Sequence, residues 1–247
     1  MMNHGHQFGK RMLSASAGQA VDIELPDSNI TRFLSANMKF ISPETSYALI
    51  IRHAERPNFS VLNFRRDTHI TKKGRDDALK LGKWLHGQHL TGIYSSPILR
   101  CVQTCRGIIE GADPVNHDIT TRARLGEPGS YIVHPLLVYP YFLISDVPEI
   151  IKKFIVRGKM SGFCSLRDGS VGIIREIAAD VSRGKARNLY VTHDAVLAPF
   201  ISFFTGEKFA GDRWIDYLDG IIITMNRSEL RLIWNGEEYP IDRKFYS

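Results

Sequence analysis

Two histidines close runs of apolar residues, and each is followed by charge. Leu49-Ile50-Ile51 leads into Arg52-His53-Ala54-Glu55-Arg56-Pro57, and Leu189-Tyr190-Val191-Thr192 leads into His193-Asp194. One histidine at the end of a strand is usually structural. Two in the same setting, one bracketed by arginines and one followed by a carboxylate, point to a shared site. A neutral imidazole nitrogen is a good nucleophile, and nearby cations disfavour its protonation. Arginine offers a planar fork of donors suited to phosphate oxygens. Arg52 comes straight after a buried run, where an unpaired charge is expensive and a bound anion would offset the cost. The chemistry these residues suit is phosphoryl transfer.

Arg100 adds a third cation. Ser96 is placed to cap a helix and Pro97 to occupy its first position, where a missing N–H costs nothing. Arg100 then falls in the first turns, against the positive end of the helix dipole, at a cost of about 0.3–1 kcal/mol. Helix N-termini favour anions, so a bound phosphate would relieve the conflict.

These side chains need elements to carry them. Tyr47 to Ile51 and Asn188 to Thr192 are nearly continuous apolar runs, as expected of central parallel strands buried on both faces. Gly92 to Ser95 is a short strand. Helices are expected from Thr71 to about His86, after Pro97 with Ile98, Val102, Cys105 and Ile109 as the buried stripe, from about Asp168 to Arg183, and from Ala195 to Thr205. Asp27 or Ser28 is placed to cap a short helix carrying Ile30, Phe33, Leu34 and Met38. Ile221–Met225 and Leu230–Trp234 read as a hairpin at the sheet edge. Residues 126–166 hold Gly, Pro and many aromatics without a clean period, and are expected to form a small cap inserted at one end of the sheet. Residues 1–26 are polar and unpatterned, a flexible tail in which His4 and His6 carry no expected role. Residues 27–247 would then form a single α/β domain. Strands alternating with helices argue for a three-layer α/β/α fold with a mostly parallel central sheet, whose ligands bind beyond the C-terminal ends of the strands.

Composition narrows the partners. The net charge is +6, with lysine and arginine spread along the chain. The basic stripe of a nucleic-acid binder is missing, and attraction of an anionic substrate is the better use of the charge. Three cysteines, Cys101, Cys105 and Cys164, do not make a disulfide framework; Cys101 and Cys105, four apart, read as small core residues of one helix. No stretch approaches the roughly 18 apolar residues of a membrane span, so no membrane partner is expected. Met1 to Ala20 lacks an apolar signal core, and a cytoplasmic location is the default expectation. No cluster shows metal-ligand spacing, so no metal or other cofactor is expected.

The motifs together resemble the histidine phosphatase superfamily, which includes the phosphoglycerate mutases and the histidine acid phosphatases. Arg52-His53-Ala54-Glu55-Arg56-Pro57 looks like its R-H-G-x-R-x-P signature, with Ala54 in place of glycine. Ser95 to Thr104 looks like its S-S-P-x-x-R-x-x-Q-T segment, Ile70-Thr71-Lys72-Lys73-Gly74 like its L-T-x-x-G helix start, and Val191-Thr192-His193-Asp194 like its second-histidine motif. The resemblance implies a phosphoglycerate mutase-like fold and a metal-independent phosphomonoesterase acting through a phosphohistidine on His53. Arg52, Arg56, Arg100 and His193 would hold the phosphate, and His193 would share in catalysis. For the acid that protonates the leaving group, the resemblance leaves two candidates. Asp194, held beside His193, is preferred over Glu127, which lies in the loop Arg124-Leu125-Gly126-Glu127-Pro128-Gly129. The substrate would be a small-molecule or phosphoprotein phosphate ester. A phosphoglycerate-type mutase and a non-catalytic phosphate-binding protein are the alternatives, and oligomeric state is not legible.

Overall fold

The computed structural model describes residues 29–57, 67–112, 118–127 and 129–247. The expectations for residues 1–26, including His4 and His6, and for caps at Asp27 or Ser28 lie outside the described residues.

β1 (Ser46–Arg52) is the centre of a seven-stranded sheet. It pairs in parallel with β4 (Arg187–Thr192), which pairs with β2 (Gly92–Ser95), which pairs with β3 (Ile119–Thr121). On its other side β1 meets β5 (Gly220–Asn226), then β6 (Glu229–Trp234) and β7 (Glu237–Ile241), all antiparallel neighbours. Helices cover both faces, giving the three-layer α/β/α fold with a parallel core. Successive strand residues point to opposite faces. Accordingly Leu49, Ile51, Leu189 and Val191 pack with Leu81, Ile108 and Ile30 on one side, while Ala48, Ile50 and Tyr190 pack with Ile174, Leu197 and Ile201 on the other. This double burial is why both strands read as unbroken apolar runs.

Register sets up the site. Arg52 lies opposite Thr192, so the next residues, His53 and His193, leave the sheet side by side at one edge. Ahead of the sheet, α1 (Asn29–Asn37) buries Ile30, Phe33 and Leu34 as expected, and the helices that follow β1 lock the loop after it. Thr71 caps α2 (Lys72–Leu85), accepting from Gly74 N–H at 2.9 Å. Thr71 N–H also donates to the Glu55 carbonyl at 2.8 Å, and its hydroxyl to Glu55 Oε1 at 2.9 Å. Gly74 must lack a side chain, because a Cβ there would stand 2.4 Å from the Glu55 carbonyl oxygen. From α3 (Leu99–Ala112), the buried Thr104 hydroxyl accepts from Ala54 N–H at 3.0 Å and donates to the Arg100 carbonyl at 2.7 Å. Gln103 accepts from Ile70 N–H at 3.0 Å. The Gln-Thr pair thus stitches α3 to the nucleophile loop.

Four expectations change. α3 begins at Leu99, two residues later than the Ser96-Pro97 signal suggests; the Ser96 hydroxyl accepts from Ile98 N–H at 3.3 Å and lies 2.9 Å from His193 Nε2. The β5–β6 hairpin, turning at Arg227 and Ser228 with positive φ, is not at the edge: β5 pairs with central β1, and β7 is the edge strand. β7 escapes sequence reading because Glu237-Glu238-Tyr239-Pro240-Ile241 has no apolar alternation, and Pro240, lacking an N–H, is tolerated only on such an edge. The three-residue β3 is likewise too short to leave a pattern. Finally, 126–166 is not irregular throughout. It holds α4 (Pro135–Ile144), apolar all round and so without a period, and α5 (Val147–Arg157), which buries Ile150, Ile151, Phe154 and Ile155. α6 (Leu166–Val181), capped by Ser165, and α7 (Asp194–Thr205) follow as expected, within two residues.

The stitch through Thr104 predicts a stability cost. Thr104→Val keeps the shape but leaves the buried Ala54 N–H without an acceptor, which costs about 1–3 kcal/mol. Urea denaturation should show a lower midpoint; an unchanged midpoint would contradict this role for the hydroxyl.

Candidate active site

His53 is buried at the end of β1. Its Nδ1 lies 2.8 Å from the Ala54 carbonyl, which can only accept, so Nδ1 carries the proton and Nε2 the lone pair. Arg100 Nε donates to that lone pair at 3.1 Å. Burial, followed by the charges of His193, Arg100 and Arg52, holds the His53 pKa well below the usual histidine value. The imidazole is therefore neutral, with its nucleophilic nitrogen aimed at the cations.

His193 faces it, the two rings edge-on with centroids 5.3 Å apart. Arg100 Nη2 donates to His193 Nδ1 at 3.2 Å, and His193 Nε2 then donates to the Ser96 hydroxyl at 2.9 Å. Burial and the Arg100 charge push its pKa down to about 3. Arg100 thus bridges both histidines from the first turn of α3, as its position in the sequence suggests. Cys101, next to it, lies under His193 with Sγ 3.5 Å from Nε2, and burial raises its thiol pKa far above the ordinary value. Cys105 is also buried, and all three cysteines are free.

Arg52 is buried and donates to the Ile215 carbonyl at 2.6 Å and to Asp194 Oδ2 at 3.0 Å. Its guanidinium lies over the Tyr217 ring, 4.2 Å from the centroid, and the Tyr217 and His53 ring centroids are 5.7 Å apart. Arg52 Nε is buried with no hydrogen-bond partner among the described residues. Arg56 is half-buried, donates to the Pro57 carbonyl at 2.9 Å, and its charge helps to lower the pKa of His193 and of Arg100.

The two acid candidates differ sharply. Asp194 accepts from Arg52, from Trp214 Nε1 at 2.9 Å and from Ala195 N–H at 2.9 Å. Burial alone would raise its carboxyl pKa, but Arg52, the Trp214 hydrogen bond and His193 outweigh burial and lower it. It is an ionised first residue of α7, with His193 in the N-cap position. Glu127 is half-buried in the loop between β3 and α4, where its N–H donates to the Ala123 carbonyl at 3.0 Å. That loop is pressed on the site: Thr192 Oγ1 donates to the Leu125 carbonyl at 2.5 Å, and a Cβ on Gly126 would stand 2.1 Å from Ser96 Oγ and 2.6 Å from His193 Nε2.

His53, Arg52, Arg100, His193 and Asp194 therefore meet directly, Arg56 contributes its field, and Glu127 adjoins through its backbone. Sequence reasoning missed Trp214, the Ile215 carbonyl and Tyr217. They sit in a loop before β5, without periodicity or motif, and only the fold brings them to Arg52. Among the described residues no group of three or more His, Cys, Asp or Glu is arranged to hold a metal ion.

The model of the histidine phosphatase superfamily (branch 1) matches residues 48–130. This stretch carries most of β1, His53, Arg100 and Glu127, and stops before His193 and Asp194. Solved structures share the fold. YhfR of Bacillus stearothermophilus is 20% identical with a TM-score of 0.54, covering 77% of this chain and 96% of that one. A mycobacterial glucosyl-3-phosphoglycerate phosphatase is 13% identical with a TM-score of 0.53, covering 78% and 100%. Mycobacterial hydrolase 2 is 14% identical with a TM-score of 0.53, covering 81% and 95%. No curated protein matches the chain. Over these residues the chain is similar to the histidine phosphatase superfamily, and its fold is that of the solved structures above.

The two neutral histidines make stability depend on pH. An unfolded histidine titrates near 6.5, while His193 stays neutral down to about 3 in the folded protein and His53 also titrates well below normal. Below about pH 6.5 the unfolded chain takes up protons that the folded one refuses, so each histidine removes up to about 1.4 kcal/mol of stability per pH unit. Asp219, whose burial raises its carboxyl to about 6, works in the opposite direction between there and its unfolded value of 3.8. Two groups against one leave a net loss on acidification. Urea unfolding at pH 7 and pH 5 should show this loss, and His193→Asn should shrink it. A wild-type stability equal at both values would contradict the neutral-histidine pair.

Proposed function

We propose that the chain is a metal-independent phosphomonoesterase that forms a phosphohistidine on His53. The observation that carries this is the state of His53: neutral, its Nδ1 proton fixed on the Ala54 carbonyl, its Nε2 lone pair turned to Arg100 and facing His193.

The steps follow from that arrangement. A phosphate monoester enters among Arg52, Arg56, Arg100 and His193, and Arg100 turns its donors from the histidines to phosphate oxygens. His193 presents Nδ1 to the substrate. If the Ser96 hydroxyl reverses to donate to Nε2, the ring proton moves to Nδ1 and His193 becomes a donor to a phosphoryl oxygen. His53 Nε2 attacks phosphorus and the ester P–O bond breaks. The cations stabilise charge on the equatorial oxygens as the group moves. A carboxylic acid gives its proton to the departing oxygen. Water then attacks the phosphohistidine, the same carboxylate accepts its proton, the P–N bond returns its electron pair to Nε2, and phosphate leaves.

For that acid we propose Glu127, reversing the preference drawn from sequence. A general acid must hold a proton at working pH. Asp194 is held ionised by Arg52 and Trp214, so it positions Arg52 instead. Glu127 follows Gly126, whose backbone lies against His193. The substrate is a phosphate ester of a small molecule or a phosphoprotein. The three free cysteines support a cytoplasmic setting.

Two experiments test this. His53→Ala should abolish hydrolysis of para-nitrophenyl phosphate, EDTA should leave the wild-type rate unchanged, and acid-sensitive, base-stable phosphate should be trapped on His53 during turnover. Full activity in the alanine variant would overturn the nucleophile assignment. The second compares Glu127→Gln and Asp194→Asn on an alkyl phosphate and on para-nitrophenyl phosphate. A nitrophenolate departs without a proton, whereas an alkoxide needs one, so loss of the acid should cost about 10²–10⁴-fold on the alkyl ester and far less on the aryl ester. Glu127→Gln should show that split, while Asp194→Asn should slow both substrates alike. The reverse pattern would return the role to Asp194.

A further inference from the structure

α4 is Pro-Leu-Leu-Val-Tyr-Pro-Tyr-Phe-Leu-Ile, ten residues without a charge. A helix on the surface of a globular protein normally turns polar residues outward. Here only Val138 is buried; Leu136 is 84% exposed, Ile144 81% and Leu143 64%, with Val133, Leu137 and Tyr139 each more than half exposed. Apolar residues scattered singly over a surface need no explanation, but a contiguous helix of them does.

The neighbouring end of α5 supplies charge. Val156 is 79% exposed, and around it Lys153, Arg157 and Lys159 are exposed with no carboxylate partner among the described residues. The two elements are tied together. Val133 N–H and His134 N–H both donate to the Gly162 carbonyl, at 2.9 and 3.0 Å, and a Cβ on Gly162 would stand 2.9 Å from that of Leu137. The first turn of α4 therefore lies on the segment leaving α5, shortly after Lys159 in the chain. This region of the surface combines an uncharged apolar helix with nearby cations that pair with no carboxylate among the described residues.

We propose that this face docks on the surface of an anionic lipid bilayer, with α4 lying in the interface. Apolar area entering the acyl boundary and cations meeting anionic headgroups are the two contributions that hold such helices. Ten residues make about 15 Å of helix, half of a hydrocarbon core, so α4 does not span. Among the described residues no helix is long and apolar enough to cross a membrane. The sequence expectation of no membrane partner rested on that spanning criterion, which does not address a helix lying flat. The inference does not depend on the phosphohydrolase proposal.

The test is co-sedimentation of the full chain with phosphatidylcholine vesicles, with and without phosphatidylserine. The wild type should pellet with the anionic vesicles, less so as salt rises, and stay largely in solution with phosphatidylcholine alone. Leu136→Glu/Leu143→Glu/Ile144→Glu should abolish pelleting. Lys153→Glu/Arg157→Glu/Lys159→Glu should weaken partitioning by about a hundredfold or more, at roughly a fivefold loss per cation removed. Circular dichroism melts of both variants establish that they fold, independently of any turnover assay. Wild-type protein that stays in solution at both compositions, or folded variants that pellet like wild type, would overturn the proposal. So would a dimer seen by light scattering without lipid that either variant dissolves, since the face would then belong to a second copy.

Discussion

The parallel register of β1 on β4 is the constraint from which the site follows. Arg52 opposite Thr192 makes the next residue of each strand a histidine, and the two rings emerge 5.3 Å apart between centroids. A slip of one residue would turn every apolar side chain of β1 to the other face, and double burial makes both faces intolerant of that. The spacing of the histidines is thus enforced by Leu49, Ile51, Leu189 and Val191 on one side and Ala48, Ile50 and Tyr190 on the other. The hydrophobic core and the site geometry are one requirement.

Charge is the second constraint. Arg52 and Arg100 are buried and Arg56 is half-buried, and the Asp194 carboxylate pairs with Arg52. Burying cations in excess is costly unless an anion completes the arrangement. Burial first, and then the same excess of positive charge, keeps His53 and His193 neutral. Asp194 cannot relieve it alone, because Trp214 and Arg52 already hold its carboxylate. An anion bound among these cations would offset that cost, which is the physical basis of the phosphate site proposed above.

Supporting contacts explain why the motif residues are of the types they are. Thr104 satisfies the buried N–H of Ala54, Gln103 that of Ile70, and Gly74 lets α2 meet the Glu55 backbone. They fix the loop whose Ala54 carbonyl sets the His53 tautomer, and so act on the nucleophile at one remove. Ala54, where the superfamily resemblance has glycine, is fully buried.

The sequence by itself determined the layer order, the two central strands, the helix that begins near Arg100, and the convergence of His53, Arg52, Arg100, His193 and Asp194. Those depend on local signals: apolar runs that only double burial permits, caps, and side chains one or two residues past a strand end. Tertiary structure decided the rest. β7 has no apolar alternation because it is an edge, and α4 has no period because it is apolar all round. Trp214, Ile215 and Tyr217 reach Arg52 across about 160 residues of chain, a distance at which no spacing rule operates. The balance between Asp194 and Glu127 was likewise invisible in the sequence. Both are carboxylates near a motif, and the Arg52 and Trp214 contacts that lower the Asp194 pKa belong to the fold, not to the motif. Proton affinity is a property of the three-dimensional surroundings, and those exist only once the chain has folded.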